Sequence, residues 1–241
     1  MSTRATATER VPLAISYGGA VRPHQRVFDF AFVHGSFDRL RSIAQSTGTP
    51  FVWTTPVAGM VKTPDEIPRA LPPREALNLV GVLATASRPG ETHTLQRVRI
   101  TAIHPDDGRP RGEAALPGGG VLLGGAFYWC SYEDYPDAAV DDATLAAALV
   151  GLAESYDGYT ATRGEEPCWS PPADVHHLAE SLDRLLGTLL LSSPVEQEVL
   201  EAPDVATRMA LISGELTRLA DADRSRRARL EAKRGAATTE D

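Results

Sequence analysis

Lysine is almost missing from this chain: of 241 residues only Lys62 and Lys233 carry an ammonium group, and the rest of the positive charge is arginine. Chemistry that depends on lysine, such as a desolvated general base or the phosphate-binding residue of a Gly-rich loop, therefore has two positions to choose from. Lys62 lies in a Pro-rich stretch and Lys233 in a charged C-terminal run, so neither reads as a catalytic base. Cysteine is as scarce. Cys130 and Cys168 can form at most one disulfide, make no CxxC metal pair, and read as free thiols in a reducing compartment. No run approaches the ~20 apolar residues of a membrane span, and Met1–Arg10 lacks the apolar core of a secretory signal. No membrane association and a cytoplasmic location are expected.

What is present is ordinary for a globular protein: 42% hydrophobic and 23% charged residues exclude collagen-like, coiled-coil and wholly disordered chains. The net charge of −8 repels a polyphosphate backbone unless the basic groups are segregated, so nucleic acid is a disfavoured partner.

The order along the chain is β first, α second. Residues 1–10 are polar and without period and read as a flexible tail. Residues 11–140 carry short β-branched and aromatic runs broken by Gly and Pro: Val27–Val33, Pro50–Thr55, Leu79–Ala84, Thr94–Ile103, Val121–Leu123 and Ala126–Cys130. Arg97 and Arg99 alternate with Val98 and Ile100, as on a half-solvated antiparallel sheet or barrel. A short helix is expected over Ser36–Ile43. Residues 141–220 change to a helical period. Leu145, Leu149, Leu152 and Tyr156 make one stripe behind an Asp141 or Asp142 cap, and Val175, Leu178, Leu182, Leu185 and Leu189 make a second. Asp157 to Pro172, with two Gly and three Pro, reads as a loop between them. Ser193, Pro194 and Glu196 match a capping box, and Val205, Met209, Ile212, Leu216 and Leu219 form the last stripe. Residues 221–241 are charged and predict a fraying helix followed by disorder. The fold class is α+β.

The run Leu189–Ile212 holds Gln197, Leu200, Glu201, Asp204, Arg208 and Leu211 at the places of a leucine-rich helix, a short break with Asp, and a second helix. Upstream stand a Val80-Gly81-Val82 strand, a strand with Arg97 and Ile100, and a Tyr128–Pro136 segment leading into the helices. In this order the motifs resemble the N-terminal, substrate-binding domain of Lon proteases, over about residues 11 to 219. The opening Val11-Pro12-Leu13-Ala14-Ile15 and Phe37-Asp38-Arg39-Leu40 depart from that family's pattern, as in a divergent stand-alone member. The resemblance implies a mostly antiparallel, PUA-like β-barrel followed by a helical bundle. It also implies a non-catalytic polypeptide-binding role, with unfolded or native polypeptides as clients and a separate protease as a further partner.

The ATPase and protease halves of a Lon protease have no counterpart in the motifs. Gly119–Gly124 is followed by Gly125 and Ala126 where a phosphate loop needs Lys and Ser or Thr, and no Ser-Lys pair stands out. Cys130, Cys168, His176 and His177 are the set that could suggest a nucleophile or a metal site. A strand thiol acts as a small hydrophobe, and adjacent histidines on a helix diverge, so no catalytic, metal or cofactor site is assigned. Glu133, Asp134, Asp137, Asp141 and Asp142 lack the spacing of a calcium loop. The candidate polypeptide-binding residues are the aromatics Trp53, Tyr128, Trp129 and Trp169, of which Trp169 is set apart by lying in a Pro-rich loop. Two alternatives stand beside this reading: an RNA-binding PUA-like protein using Arg97, Arg99 and the basic run Arg224–Arg234, and a small Cys/His-dependent enzyme.

Overall fold

The β-rich half closes on itself because one strand is long enough to pair with two partners in turn. In the computed structural model, which describes residues 10–15, 22–24, 26–28, 44, 46–57, 73–88, 91–105, 128–172, 174, 177–189 and 191–237, the strands are β1 (Val11–Ile15), β2 (Arg26–Phe28), β3 (Phe51–Thr54), β4 (Val80–Arg88), β5 (Glu91–Pro105) and β6 (Tyr128–Asp134). They lie in the order β2-β5-β4-β3-β1-β6, and β6 pairs back onto β5. The first half of the 15-residue β5 pairs with β4 and the second half with β6, from Val98↔Asp134 to Pro105↔Tyr128. Register shifts between Val82 and Ala84 and between Ile100 and Ala102 bend these strands, as closure into a barrel requires. Among the described residues β1 and β3 pair in parallel and the other ladders are antiparallel.

Alternation sorts the side chains into two clusters. Val11, Leu13, Val52, Leu83, Val98, Ile100, Tyr128 and Cys130, drawn from β1, β3, β4, β5 and β6, pack in the interior with Ala76 and Leu77. Ala14, Phe51, Trp53 and Ala84 pack on the opposite face with Ala44. β3 is therefore buried on both faces, which is why it reads as a continuous apolar run rather than as an alternating one. The half-solvated pattern is kept by β5, where Leu95, Gln96 and Arg99 are exposed. Observed strands outrun the sequence expectations: β4 continues to Arg88 and β6 to Asp134. The expected helix over Ser36–Ile43 and the runs 29–33 and 121–127 lie outside the described residues.

The chain divides into two units by its contacts. The first takes the described residues up to Pro136 and also Ser192–Glu201; the second takes Asp137–Leu191 and the described residues from Ala202 onward. Besides the barrel, the first unit holds the short α1 (Pro73–Ala76) and, returning from far along the sequence, α4 (Ser193–Glu201). Three side chains fasten α4 to the strands. Gln197 donates to Val80 O at 3.2 Å and accepts from Thr55 Oγ1 at 3.0 Å, Arg97 donates to Leu200 O at 2.9 Å, and the Tyr135 hydroxyl donates to Glu201 O at 3.0 Å. Leu200 packs on Val80 and Val82. At its start the Glu196 carboxylate pairs with Arg22 and Glu196 N–H donates to Ser192 O at 3.0 Å, while the Ser193 side chain of the expected capping box lies outside the described residues.

The second unit consists of α2 (Asp142–Arg163), α3 (Leu178–Thr188) and α5 (Val205–Ala237). Asp141 caps α2, accepting from Thr144 N–H at 2.9 Å and Thr144 Oγ1 at 2.7 Å, and these bonds hold its carboxyl below the usual range. Asp204 caps α5 in the same way through Thr207. The loop expected from Asp157 begins seven residues later. Tyr156, Tyr159 and Thr160 are buried on α2, and the helix runs to Gly164 (φ 71°), where Gly164 N–H meets Ala161 O and Glu165 N–H meets Thr160 O in a Schellman motif. The first turns of the expected stripe, Leu145 and Leu149, are only half-buried. Leu178, Leu182, Leu185 and Leu189 are buried as expected, together with Leu186; Val175 lies outside the described residues. The charged segment from Asp221 does not leave the helix, for α5 continues to Ala237.

Candidate functional site

The four aromatic candidates separate by burial. Trp53 is 1% exposed and lies 6.1 Å, centroid to centroid, from Phe51 in the cluster outside the barrel. Tyr128 is buried in the interior cluster, and burial pushes its hydroxyl pKa up. Both are core residues here: Trp53 lies on a strand covered on two faces, and Tyr128 packs in the interior cluster. Trp129, next along β6, is half-buried against the cluster that contains Trp53. Trp169 belongs to the helical unit.

Trp169 sits in the loop after α2, half-buried and fixed at two points. Its indole Nε1–H donates to Ser181 Oγ on α3 at 2.9 Å, and its ring meets the Tyr156 ring edge-on at 5.7 Å between centroids. Such a pair contributes about 0.5–1.5 kcal/mol beyond area burial. The Tyr156 hydroxyl also accepts from Cys168 N–H at 3.2 Å and lies 3.2 Å from Cys168 Sγ. Burial, then the Cys168 thiol, raises the Tyr156 pKa, so the hydroxyl stays protonated through the neutral range. The loop is thus tied to both α2 and α3. Neither Tyr156 nor Ser181 reads as a site residue in the sequence, since one lies on a core stripe and the other is an unmarked serine.

The thiols are set apart chemically. Cys130 is fully buried, and desolvation raises its pKa to about 12, which removes the thiolate a nucleophile needs. Cys168 is exposed. His177 is at the start of α3 beside Glu180 at 3.9 Å, His104 on β5 lies 3.4 Å from Ser131 Oγ, and His176 is outside the described residues. Among the described residues no group of three His, Cys, Asp or Glu is placed to hold a metal ion. Lys62 and Gly119–Ala126 lie outside them. Iodoacetamide is expected to modify native protein at Cys168 alone and denatured protein at both cysteines, read by intact mass. Cys130 also predicts alkaline instability. Its folded pKa lies above the unfolded value near 9, so its contribution is complete below that pH and falls toward pH 12 by about 1.4 kcal/mol per unit. Cys130→Ala should flatten this slope in unfolding curves from pH 8 to 10.5; equal slopes would contradict the burial argument.

Arginine on β5 is engaged rather than presented. Arg97 is buried, held by Leu200 O and lying 5.0 Å from the Tyr135 ring centroid, and the exposed Arg99 covers the same ring at 4.4 Å. Arg97 thus serves the barrel's own attachment of α4, which weakens the phosphate-contact reading of this strand. Among the described residues no helix is long and apolar enough to cross a membrane.

The sequence matches no protein-family model and no curated protein. Solved structures resemble it. The N-terminal domain of the Mycobacterium avium complex Lon protease is similar over 87% of this chain and 98% of its own, with 16% identity and a TM-score of 0.52. The Lon N-terminal domain protein from Xanthomonas campestris is similar over 84% of this chain and 95% of its own, with 14% identity and a TM-score of 0.45. At this identity the first likeness shows the fold, an α+β barrel with helices of the Lon N-terminal kind.

Proposed function

We propose that this chain, with its Lon N-terminal type of fold, is a non-catalytic polypeptide-recognition module that contacts unfolded or native polypeptides through Trp169. The observation that carries this reading is the state of Trp169. A large ring held in one orientation by Ser181 and Tyr156, yet only half covered, loses little conformational freedom on binding and still has apolar area to bury. The fold likeness adds support of an associational kind. A protease is the class of further partner it suggests, and two unpaired thiols fit a reducing cytoplasm.

The test is a titration of a fluorescent, reduced and alkylated model protein that cannot refold. Trp169→Ala should weaken binding about tenfold or more, with Trp169→Phe intermediate and the circular dichroism spectrum unchanged. No binding by the wild type, or equal binding by Trp169→Ala, would reject the reading.

A further inference from the structure

In the helical unit, α2 and α5 run in the same direction. Ala138 N–H donates to Pro203 O at 2.8 Å near their starts, and Arg163 at the end of α2 lies 3.6 Å from Asp223 on α5. α2 stops at Gly164, whereas α5 continues from Arg224 to Ala237, about 21 Å of helix at 1.5 Å per residue. An open cleft of about 310 Å³ lies at this step, lined by Arg163, Glu165, Asp223, Arg226, Arg227 and Leu230.

The charges in the cleft are not equivalent. Glu165 accepts from Arg163 Nε at 2.8 Å and Asp223 faces the same guanidinium, so both carboxylates are turned toward Arg163. Glu165 and Asp223 hold the Arg163 pKa up, with the Glu165 hydrogen bond as the largest cause. Arg224 pairs with Asp221. Arg226 and Arg227 have no hydrogen-bond or ion-pair partner among the described residues, and both are exposed. Beside them Leu230 is 50% exposed, a large apolar side chain in an otherwise charged setting.

We infer that this cleft binds an acidic segment of a polypeptide, with Asp or Glu carboxylates on Arg226 and Arg227 and an aliphatic side chain of the segment on Leu230. The inference rests on the polypeptide-recognition reading and adds the class of segment. Arginine forks match carboxylates in a bidentate way, and two free forks on adjacent residues suit acidic side chains with an apolar neighbour. A nucleic acid fits less well. It offers no aliphatic group to Leu230, which an acidic segment with an apolar neighbour does.

The probe is a labelled twelve-residue peptide of Asp, Glu and Leu, titrated with the full chain by fluorescence anisotropy. A matched Asn, Gln and Leu peptide and a twelve-nucleotide RNA serve as competitors, and the unfolded model protein is measured alongside. The acidic peptide should bind at least about tenfold tighter than the neutral one, and Arg226→Gln with Arg227→Gln should abolish that preference. Leu230→Ser should weaken binding by a few fold even in salt that screens the arginines. All three positions are exposed, so melting temperatures should not move. Equal binding by the double variant, equal binding of the neutral peptide, or displacement by RNA at equal concentration overturns the assignment. If the unfolded protein binds and the acidic peptide does not, the cleft assignment alone falls; if neither binds, the recognition reading falls with it.

Discussion

Asp183→Ala is expected to lower the unfolding free energy of the helical unit by about 3–5 kcal/mol, the range for removing one partner of a buried ion pair. Arg208 on α5 and Asp183 on α3 have side chains only 2% and 3% exposed and bond each other directly, and Arg208 also reaches Asp137 at 3.5 Å. Without Asp183 the guanidinium stays buried with Asp137, itself partly wet, as its remaining partner in the pair. Arg208→Ala should also destabilise the unit, because it removes the guanidinium that Asp183 bonds. The pair as a unit is another matter. Arg208 Nε is buried without a hydrogen bond among the described residues, so the desolvation of the charges is incompletely offset. Arg208→Met combined with Asp183→Leu should therefore recover most of the loss. Denaturant unfolding followed by helical circular dichroism decides: a loss under about 1 kcal/mol for Asp183→Ala would show that the buried pair does not hold α3 to α5.

Gly81→Ala should destabilise the barrel by about 1–3 kcal/mol, toward the upper end because the obstacle is backbone. A Cβ at this position would stand 2.6 Å from the Trp53 carbonyl oxygen, with Val52 and Thr54 side chains close behind. Trp53 sits on the neighbouring strand, in register with Val82, so the oxygen can retreat only by opening the β3–β4 ladder. Gly214→Ala is the matching control with the opposite sign. Gly214 is exposed inside α5 with nothing within 4 Å of a Cβ, and filling it should add about 0.5–1 kcal/mol by lowering the entropy of the unfolded chain. Melting curves of the two variants should shift in opposite directions; a neutral Gly81→Ala would mean that the strands part more easily than their burial suggests.

The residues that carried the family resemblance turn out to be fasteners. Gln197 bonds Val80 on β4 and Thr55 just past β3, Leu200 supplies a carbonyl to Arg97 and a side chain to the Val80–Val82 face, Glu201 bonds Gln197, Asp204 caps α5, and Arg208 makes the buried ion pair. Their spacing was visible because each role demands one residue type at one turn of a helix. The partners were not visible, since Val80, Thr55 and Asp183 lie up to 142 positions away. The burial of the aromatic candidates was not visible for the same reason. Trp53 and Trp169 look alike as apolar residues beside Pro and Thr or Ser, and only the packing puts one in the core and leaves the other half covered.

Local chemistry alone set the order of strands then helices, the cap at Asp141, the leucine stripes, and the scarcity of lysine and cysteine that argues against several chemistries. These depend on backbone geometry over a few residues, which a sequence states directly. Tertiary contacts decided the closure through the two halves of β5, the return of α4 to the barrel, the burial that silences the Cys130 thiol, and the placing of Arg163 beside Asp223. Each of these joins residues distant along the chain. Which distant pairs meet is chosen by the total burial of apolar area and the satisfaction of polar groups across the whole unit, and no local pattern encodes that sum.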